Sequence, residues 1–281
     1  SGDGAFGAMY FAPFVIRDGH VVVDMDPLEA FRSGAHNAVP TILGTNRDEN
    51  KLFLSFMSPH VRRLGPFPIG FVDEDRYNVT TEYGSRLWKA QGADEPAAAM
   101  QGEGRPPVFA YRFDWDEEPS VMGVDLARLI GAGHAVELLF VFGGTDSSIA
   151  QWLLVDDTES AETLSAQMRS YWTEFAATGA PGGGQDGSLP VWPTWRGERP
   201  EFLLLDSPRD GGIGRSTETE SVAGIVSAVA GDARLPDAEA RCEVYAGFVQ
   251  WSTALTPDEY TRAGGGECTA HPLDSRTPFD S

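Results

Sequence analysis

Two polar side chains, Glu49 and His134, have the types and settings that general acid–base chemistry needs. Glu49 ends a polar turn that follows an apolar run at 39–44. His134 lies in a glycine-flanked loop at 131–134, just before a second apolar run at 138–142. An imidazole exchanges a proton near neutral pH, and a carboxylate can orient it. The local pattern alone also fits two structural roles, a carboxylate at a helix N-terminus and a hydrogen-bonded surface histidine.

The sequence contains no serine or cysteine in a Gly-x-nucleophile-x-Gly turn, the usual setting of a nucleophile elbow. The nearest match is Gly214-Arg-Ser216-Thr-Glu, which lacks the final glycine and follows His134 in the chain. We therefore expect Ser216 to be a loop serine. The 281 residues would hold two of the three members of a catalytic triad.

Composition and charge argue against several classes of partner. The formal net charge of −21 repels phosphate backbones and anionic membrane surfaces, so we expect neither nucleic acid nor membrane as a partner. No apolar run approaches the roughly 20 residues that span a bilayer.

Two cysteines, Cys242 and Cys268, either pair to close one loop or remain as buried free thiols. A disulfide would place the protein in an oxidising compartment. Lysine occurs only at positions 51 and 89, whereas arginine is common. We therefore expect a secreted, periplasmic or extracellular protein of bacterial origin.

We expect no cofactor and no metal. His134 and Glu137 form a His-x-x-Glu pair that could meet on one helical face, but further acidic partners for a dimetal site are missing. The glycine-rich stretch at 182–184 lacks the Gly-Lys-Ser/Thr ending of a phosphate-binding loop.

Hydrophobic periodicity predicts strands that alternate with helices, and hence an α/β fold with a mostly parallel sheet flanked by helices. One helix should begin after the cap Asp26 and stop at Gly34, and another should bury an apolar stripe at 158–178. The chain should form part of one domain over 1–281, with an irregular tail after 262. The other predicted elements are a hairpin at 14–23 that turns at Asp18-Gly19, strands at 39–44, 108–113 and 201–205, and helices at about 50–57, 72–91 and 236–254.

Several segments, taken together, resemble the type-B carboxylesterase family, which includes the cholinesterases. They occur in family order over roughly residues 13–205, and residues 206–281 add a C-terminal helix and tail. The segments are Phe14-Val-Ile-Arg-Asp-Gly-His20, Val39-Pro-Thr-Ile-Leu-Gly-Thr-Asn-Arg-Asp-Glu49, Gly131-Ala-Gly-His-Ala-Val-Glu-Leu-Leu-Phe-Val-Phe-Gly143, Met168-Arg-Ser-Tyr-Trp-Thr-Glu-Phe-Ala-Ala-Thr-Gly-Ala-Pro181 and Leu189-Pro-Val-Trp-Pro-Thr-Trp195.

The resemblance implies an α/β-hydrolase fold with the chain order serine, acid, histidine. Glu49 matches the acid of the family's triad and His134 matches its base. Glu137 matches a carboxylate that supports the site from behind. The implied activity is hydrolysis of small-molecule carboxylic esters, with no cofactor.

The family places the nucleophile serine and the oxyanion loop far upstream of the acid, but only 48 residues precede Glu49 here. We therefore expect this chain to be the C-terminal portion of the hydrolase fold, in a processed or split enzyme. An N-terminal half chain would supply the elbow serine and the oxyanion hole.

Two further questions stay open at the level of sequence. Phe53, Phe56 and Met57 follow the acid motif and could line an apolar substrate pocket or pack in the core. The missing serine also fits a non-catalytic esterase-like binding module, since the family includes adhesion proteins.

Overall fold

A computed structural model of the chain describes residues 17–148, 154–252 and 254–273. The strands among these residues are β1 (Thr41–Asn46), β2 (Val61–Leu64), β3 (Phe67–Phe71), β4 (Val108–Phe113), β5 (Ser120–Val121), β6 (Val124–Asp125), β7 (Phe202–Leu205) and β8 (Gly214–Ser216). The described helices are α1 (Pro27–Ser33), α2 (Glu49–Met57), α3 (Glu74–Lys89), α4 (Glu95–Met100), α5 (Leu126–Leu129), α6 (Glu137–Phe142), α7 (Thr158–Thr178), α8 (Val222–Val229), α9 (Ala238–Gln250) and α10 (Pro257–Arg262). A π-helical turn, Ala90–Asp94, joins α3 to α4.

The main sheet of the described chain has the strand order β1–β4–β7–β8. β1 pairs parallel with β4 and β4 pairs parallel with β7, whereas β8 runs antiparallel to β7. β2 with β3 and β5 with β6 form separate two-stranded ribbons. The predicted α/β class with a mostly parallel sheet is confirmed, and the three predicted strands are β1, β4 and β7.

The capping signals of α1 behave as the sequence predicts. The Asp26 side chain accepts hydrogen bonds from the backbone N–H groups of Leu28 and Glu29, and Pro27 is the first helical residue. Gly34 ends the helix at φ 79°, a left-handed conformation that glycine adopts at little cost.

The hairpin predicted at 14–23 is wrong in the part that the structure describes. Asp18 Oδ1 accepts hydrogen bonds from the backbone N–H groups of His20, Val21 and Val22 at 2.9–3.1 Å. This local turn takes up the donors that a strand would use, so 21–23 form no strand. The other half, 14–16, lies outside the described residues.

The apolar stripe of α7 forms the main core against the sheet. Leu164, Met168 and Tyr171 are fully buried there together with Phe113 and Leu203 from β4 and β7. Trp172 and Phe175, also in the predicted stripe, are partly buried against the same core.

The C-terminal residues form a second core with α3 rather than one helix and an irregular tail. The predicted helix at 236–254 is shorter, ending as α9 at Gln250, and short 3₁₀ turns follow α10. Cys242 on α9 is bonded to Cys268 in one of those turns. The buried members of this core, here called the C-terminal core, are Val79, Tyr83, Leu87, Ala90, Ile225, Val229, Leu235, Ala240, Cys242, Val244, Tyr245, Phe248, Tyr260 and Cys268.

Replacing both Cys242 and Cys268 by serine should destabilise the C-terminal core. The bond closes a sequence separation of 26 residues. Loop closure of that length contributes roughly 3.5 kcal/mol in the chain-entropy model. Urea denaturation followed by circular dichroism should show a lower free energy of unfolding. A change below about 0.5 kcal/mol, the usual effect of a surface substitution, would contradict this expectation.

Candidate active site

Glu49 is held at the carboxyl end of β1, where ligands usually bind in open α/β sheets. It is the first residue of α2 and only 5% exposed. Its Oε1 accepts hydrogen bonds from the backbone N–H of Asn46 at 2.8 Å and from Thr45 Oγ1 at 3.2 Å. One carboxylate oxygen is therefore fixed by the strand end, which leaves Oε2 to meet another group.

That other group is His134. Its Nδ1 lies 2.6 Å from Glu49 Oε2, although 85 residues separate the two in the chain. The His134 side chain is 40% exposed, whereas the Glu49 side chain is 6% exposed. Since Nδ1 is held by the carboxylate, Nε2 is the nitrogen left to exchange a proton with a reacting group.

The carboxylate raises the pKa of His134 above its ordinary value of 6.5. The hydrogen bond to Glu49 is the largest cause, and burial opposes it. Because the folded-state pKa is raised, the pair stabilises the fold at acidic pH, and this stabilisation is lost as pH rises through the raised pKa. The neutral form that can act as a base is therefore populated above that pKa.

The backbone of the histidine loop needs glycine where it crosses the turn after β1. Gly131 has φ +51°, and a Cβ atom there would lie 2.6 Å from Asp48 Oδ2. The Asp48 backbone N–H donates to Ala132 O at 3.0 Å, and the Ala132 N–H donates to Asp48 Oδ2 at 3.2 Å. These bonds join the two loops directly.

Asn46 provides a further link that the sequence did not reveal. Its Nδ2 donates to Gly133 O at 2.7 Å and to Glu137 Oε2 at 2.5 Å, and the residue is only 2% exposed. Glu137, which the sequence predicted as a supporting carboxylate, thus contacts the histidine loop through Asn46. Burial raises the pKa of Glu137. The sequence signals for Asn46 were its place in the segment 39–49, which resembles the family's acid motif, and its polar character at the end of an apolar strand.

Two aromatic rings pack against the imidazole. The ring centroids of Phe53 and Trp88 lie 5.3 and 4.9 Å from that of His134. Phe56 and Met57 line a cleft of about 1010 Å³ beside the site, as do Trp88 and Trp251. Phe53 instead contacts His134 and both tryptophans. A substrate-binding role for Phe53, Phe56 and Met57 stays a prediction, and the sequence did not single out either Trp88 or Trp251.

Ser216 lies far from this arrangement in the sheet. It ends β8, at the opposite edge from β1, and its Oγ accepts a hydrogen bond from the Glu218 backbone N–H at 3.1 Å. The placement fits the structural role expected for this serine.

Among the described residues, one group of three carboxylates is close enough to share a cation, namely Asp116, Asp206 and Asp210. The Arg47 guanidinium already pairs with Asp116 at 2.7 Å. Burial raises the pKa of Asp206 to about 6.

In the part of the chain that the structure describes, we find no helix both apolar and long enough to cross a bilayer.

Residues 81–223, about half of the chain, match a family model described as "Carboxylesterase family". The chain is therefore a member of the carboxylesterase family, as the sequence resemblance predicted. The matched region includes His134 and Glu137, and Glu49 lies upstream of it.

Individual relatives agree with this family. Para-nitrobenzyl esterase of Bacillus subtilis (strain 168) is 28% identical over 193 residues, which cover 65% of this chain and 37% of that protein. Fumonisin B1 esterase of Sphingopyxis macrogoltabida is 27% identical over 227 residues, covering 71% of this chain and 38% of the relative. Carboxylesterase 5A of Felis catus is 24% identical, covering 64% and 37%. The chain thus spans less than half the length of these relatives.

Two solved structures of PNB esterase are also similar. One has 25% sequence identity and a TM-score of 0.43, over 69% of this chain and 39% of the other. The second has 23% identity and a TM-score of 0.48, over 76% and 42%.

Replacing Glu49 by glutamine should lower the pKa of His134, because the replacement removes the largest cause of the raised value. Following the His134 Cε1 proton by NMR over pH 5–9 should give a lower midpoint in the variant than in the unmodified chain. Glu137→Gln is the matched control and should shift the midpoint less, since Glu137 is the last cause of the raised value. Equal midpoints for the unmodified chain and Glu49→Gln would contradict the assignment.

Replacing Asn46 by alanine should destabilise the fold by roughly 1–3 kcal/mol, because it leaves the buried Gly133 carbonyl and Glu137 carboxylate without their donor. Urea denaturation measures this cost. Asn37→Ala, at an exposed position, is the control and should change stability by less than about 0.5 kcal/mol. Similar values for the two variants would show that Asn46 does not link the loops.

Proposed function

We propose that this chain supplies the base and the orienting acid for hydrolysis of small carboxylic esters, as Glu49 and His134 of a Ser-Glu-His triad. The observation that carries the proposal is the 2.6 Å contact between His134 Nδ1 and Glu49 Oε2. It is supported by the second oxygen of Glu49, which is fixed by the end of β1, and by membership of the carboxylesterase family. Neither a cofactor nor a metal is needed for this chemistry.

A serine hydroxyl is a weak nucleophile at neutral pH and needs an adjacent base. In the proposed reaction, His134 Nε2 takes the serine proton as the oxygen attacks the ester carbonyl. The tetrahedral intermediate then expels the alcohol, which receives that proton from Nε2 and leaves an acyl-serine. Water attacks the acyl-serine by the same route and releases the acid. Glu49 remains ionised and stabilises the imidazolium.

The nucleophile serine and the oxyanion hole would come from an N-terminal half chain outside these 281 residues. The edge of the sheet supports this part of the proposal. Among the described strands, β1 is bonded on one side only, to β4. Its sequence, Thr41-Ile-Leu-Gly-Thr-Asn46, has no charge and no proline, so it lacks the usual protection of an exposed edge strand.

A partner strand added parallel to β1 would place its own carboxyl end beside Glu49 and His134. Loops that follow parallel strands meet at that edge of a sheet, where a nucleophile would be needed. Oxyanion donors on the partner would lower the barrier by roughly 3–4 kcal/mol. The bond between Cys242 and Cys268 supports assembly in an oxidising compartment, with secretion from a bacterium as the proposed setting.

We expect large losses of activity from changes to either dyad residue in the chain assembled with its nucleophile-bearing partner. His134→Ala should lower kcat by roughly 10⁴-fold or more, and Glu49→Gln by a comparable factor, because both remove triad functions. Hydrolysis of a p-nitrobenzyl ester, chosen from the name of the Bacillus subtilis relative, is the assay.

His20→Ala is the matched control for these variants, since His20 is exposed and lies outside the site. Its kcat should equal that of the unmodified enzyme. If His134→Ala kept more than about a tenth of the activity, the imidazole would not be the base.

A further inference from the structure

The cleft beside the dyad is built between α2, α3 and α9, a helix of the C-terminal core. Its apolar lining comes from all three helices: Phe56 and Met57 from α2, Leu87 and Trp88 from α3, and Trp251 at the end of α9. A volume of about 1010 Å³ lies at the upper end of the range for small-molecule sites. The C-terminal segment therefore contributes one wall of the cleft.

A continuous set of rings joins that wall to the imidazole. Phe53 stacks on Trp88 at 6.0 Å and 13°, and it contacts Trp251 at 5.7 Å. Trp88 in turn lies 4.9 Å from His134. A flat group bound against Trp88 and Trp251 would thus sit one ring away from the catalytic base.

The wall is held in place by bonds that have no part in the chemistry. The Glu243 carboxylate on α9 pairs with His60 Nε2 at 2.7 Å and with Arg76 Nε at 2.9 Å. The bond between Cys242 and Cys268 also ties this helix to the 3₁₀ turn that contains Cys268. Trp251 consequently has a fixed support, which a shape-selective wall requires.

Two residues of the cleft wall carry polar atoms that lack partners. Asn50 Oδ1 and Thr80 Oγ1 have almost no solvent exposure and no hydrogen-bond partner in the described structure. Both residues line the cleft, and Asn50 is only 4% exposed. The chain packs tightly here, since a Cβ atom on Gly84 would lie 1.8 Å from Asn50 Nδ2. A ligand with an O–H or N–H donor would satisfy an acceptor that is otherwise costly to bury.

We propose that this cleft is the specificity pocket, that it binds a flat aromatic group carrying a hydrogen-bond donor, and that Trp251 is its specificity-determining residue. The aromatic group is stacked on Trp88 and Trp251, and the Asn50 side chain turns so that its buried Oδ1 accepts a hydrogen bond from the donor. The pocket belongs to the ester hydrolase proposed above, but binding itself requires no nucleophile.

Binding of 2-acetylnaphthalene, a ketone that matches methyl 2-naphthoate in shape and cannot be hydrolysed, tests the pocket by isothermal titration calorimetry. The 281-residue chain is used, together with its partner chain if the two are isolated as a complex. Trp251→Ala should weaken binding roughly tenfold, because it removes an aromatic contact and its buried area. Trp251→Phe should restore most of the affinity.

Val249→Ala is the matched structural control, because Val249 packs against the C-terminal core on the same helix. It should leave the dissociation constant within about twofold of the unmodified value. Equal weakening by Trp251→Ala and Val249→Ala would overturn the role of Trp251.

Adding a 6-hydroxyl group to the ketone should tighten binding roughly threefold to tenfold, the effect of one satisfied hydrogen bond. No gain would overturn the donor part of the proposal.

Hydrolysis of methyl 2-naphthoate and of methyl acetate separates this inference from the proposed function. Trp251→Ala should lower kcat/KM roughly tenfold for the first ester and less than about twofold for the second. Trp251-dependent binding without any hydrolysis would support the pocket and refute the esterase. Hydrolysis of both esters that is insensitive to Trp251 would support the esterase and refute the pocket.

Discussion

The parallel pairing of β1 with β4 is the constraint on which the candidate site depends. Asn46, the last residue of β1, lies opposite Phe113, the last residue of β4. The chain therefore leaves both strands at the same edge of the sheet, and the segments that follow carry Glu49 and His134. The contacts of Asp48 and Asn46 then hold the two segments so that His134 Nδ1 lies 2.6 Å from Glu49 Oε2.

The charges around the dyad are arranged so that one carboxylate acts on the imidazole directly. Glu49 contacts Nδ1, whereas Glu137 is bound to the Asn46 amide and has its pKa raised by burial. The two acidic groups thus differ in their contacts: one orients the ring and the other fixes the loop that carries the ring. Each of the two acidic groups near the imidazole therefore has a hydrogen-bond partner of its own.

Sequence patterns correctly predicted the helices whose start, end or buried face depends on residues close together in the chain. The cap and stop of α1 and the apolar stripe of α7 are examples, because each depends on side chains one or two turns apart. The β-branched run at 21–23 misled the prediction, since the Asp18 side chain captures the donors of that segment. The C-terminal core was also missed, because its pairing with α3 involves residues far apart in the chain.

The residues of the site likewise fall into those that the sequence could predict and those that it could not. Family resemblance singled out Glu49, His134 and Glu137 from motifs that are contiguous in sequence. Trp88 and Trp251 lie outside those motifs, and Asn46 lies inside one without a predicted role. The contacts of all three follow from helix packing and strand register. Trp88 lies near the end of α3, just before a π-helical turn that the hydrophobic periodicity of the sequence does not predict.

If the dyad activates a serine supplied by another polypeptide, that serine should react with a fluorophosphonate. Native material is labelled, its chains are separated, and each chain is analysed by mass spectrometry. We expect a label on a serine of a partner chain, with no label on these 281 residues and a much lower labelling rate after His134→Ala. A label on a serine of this chain, or none on any chain that accompanies it, would refute activation of a partner's serine, and the second result would favour a non-catalytic binding module.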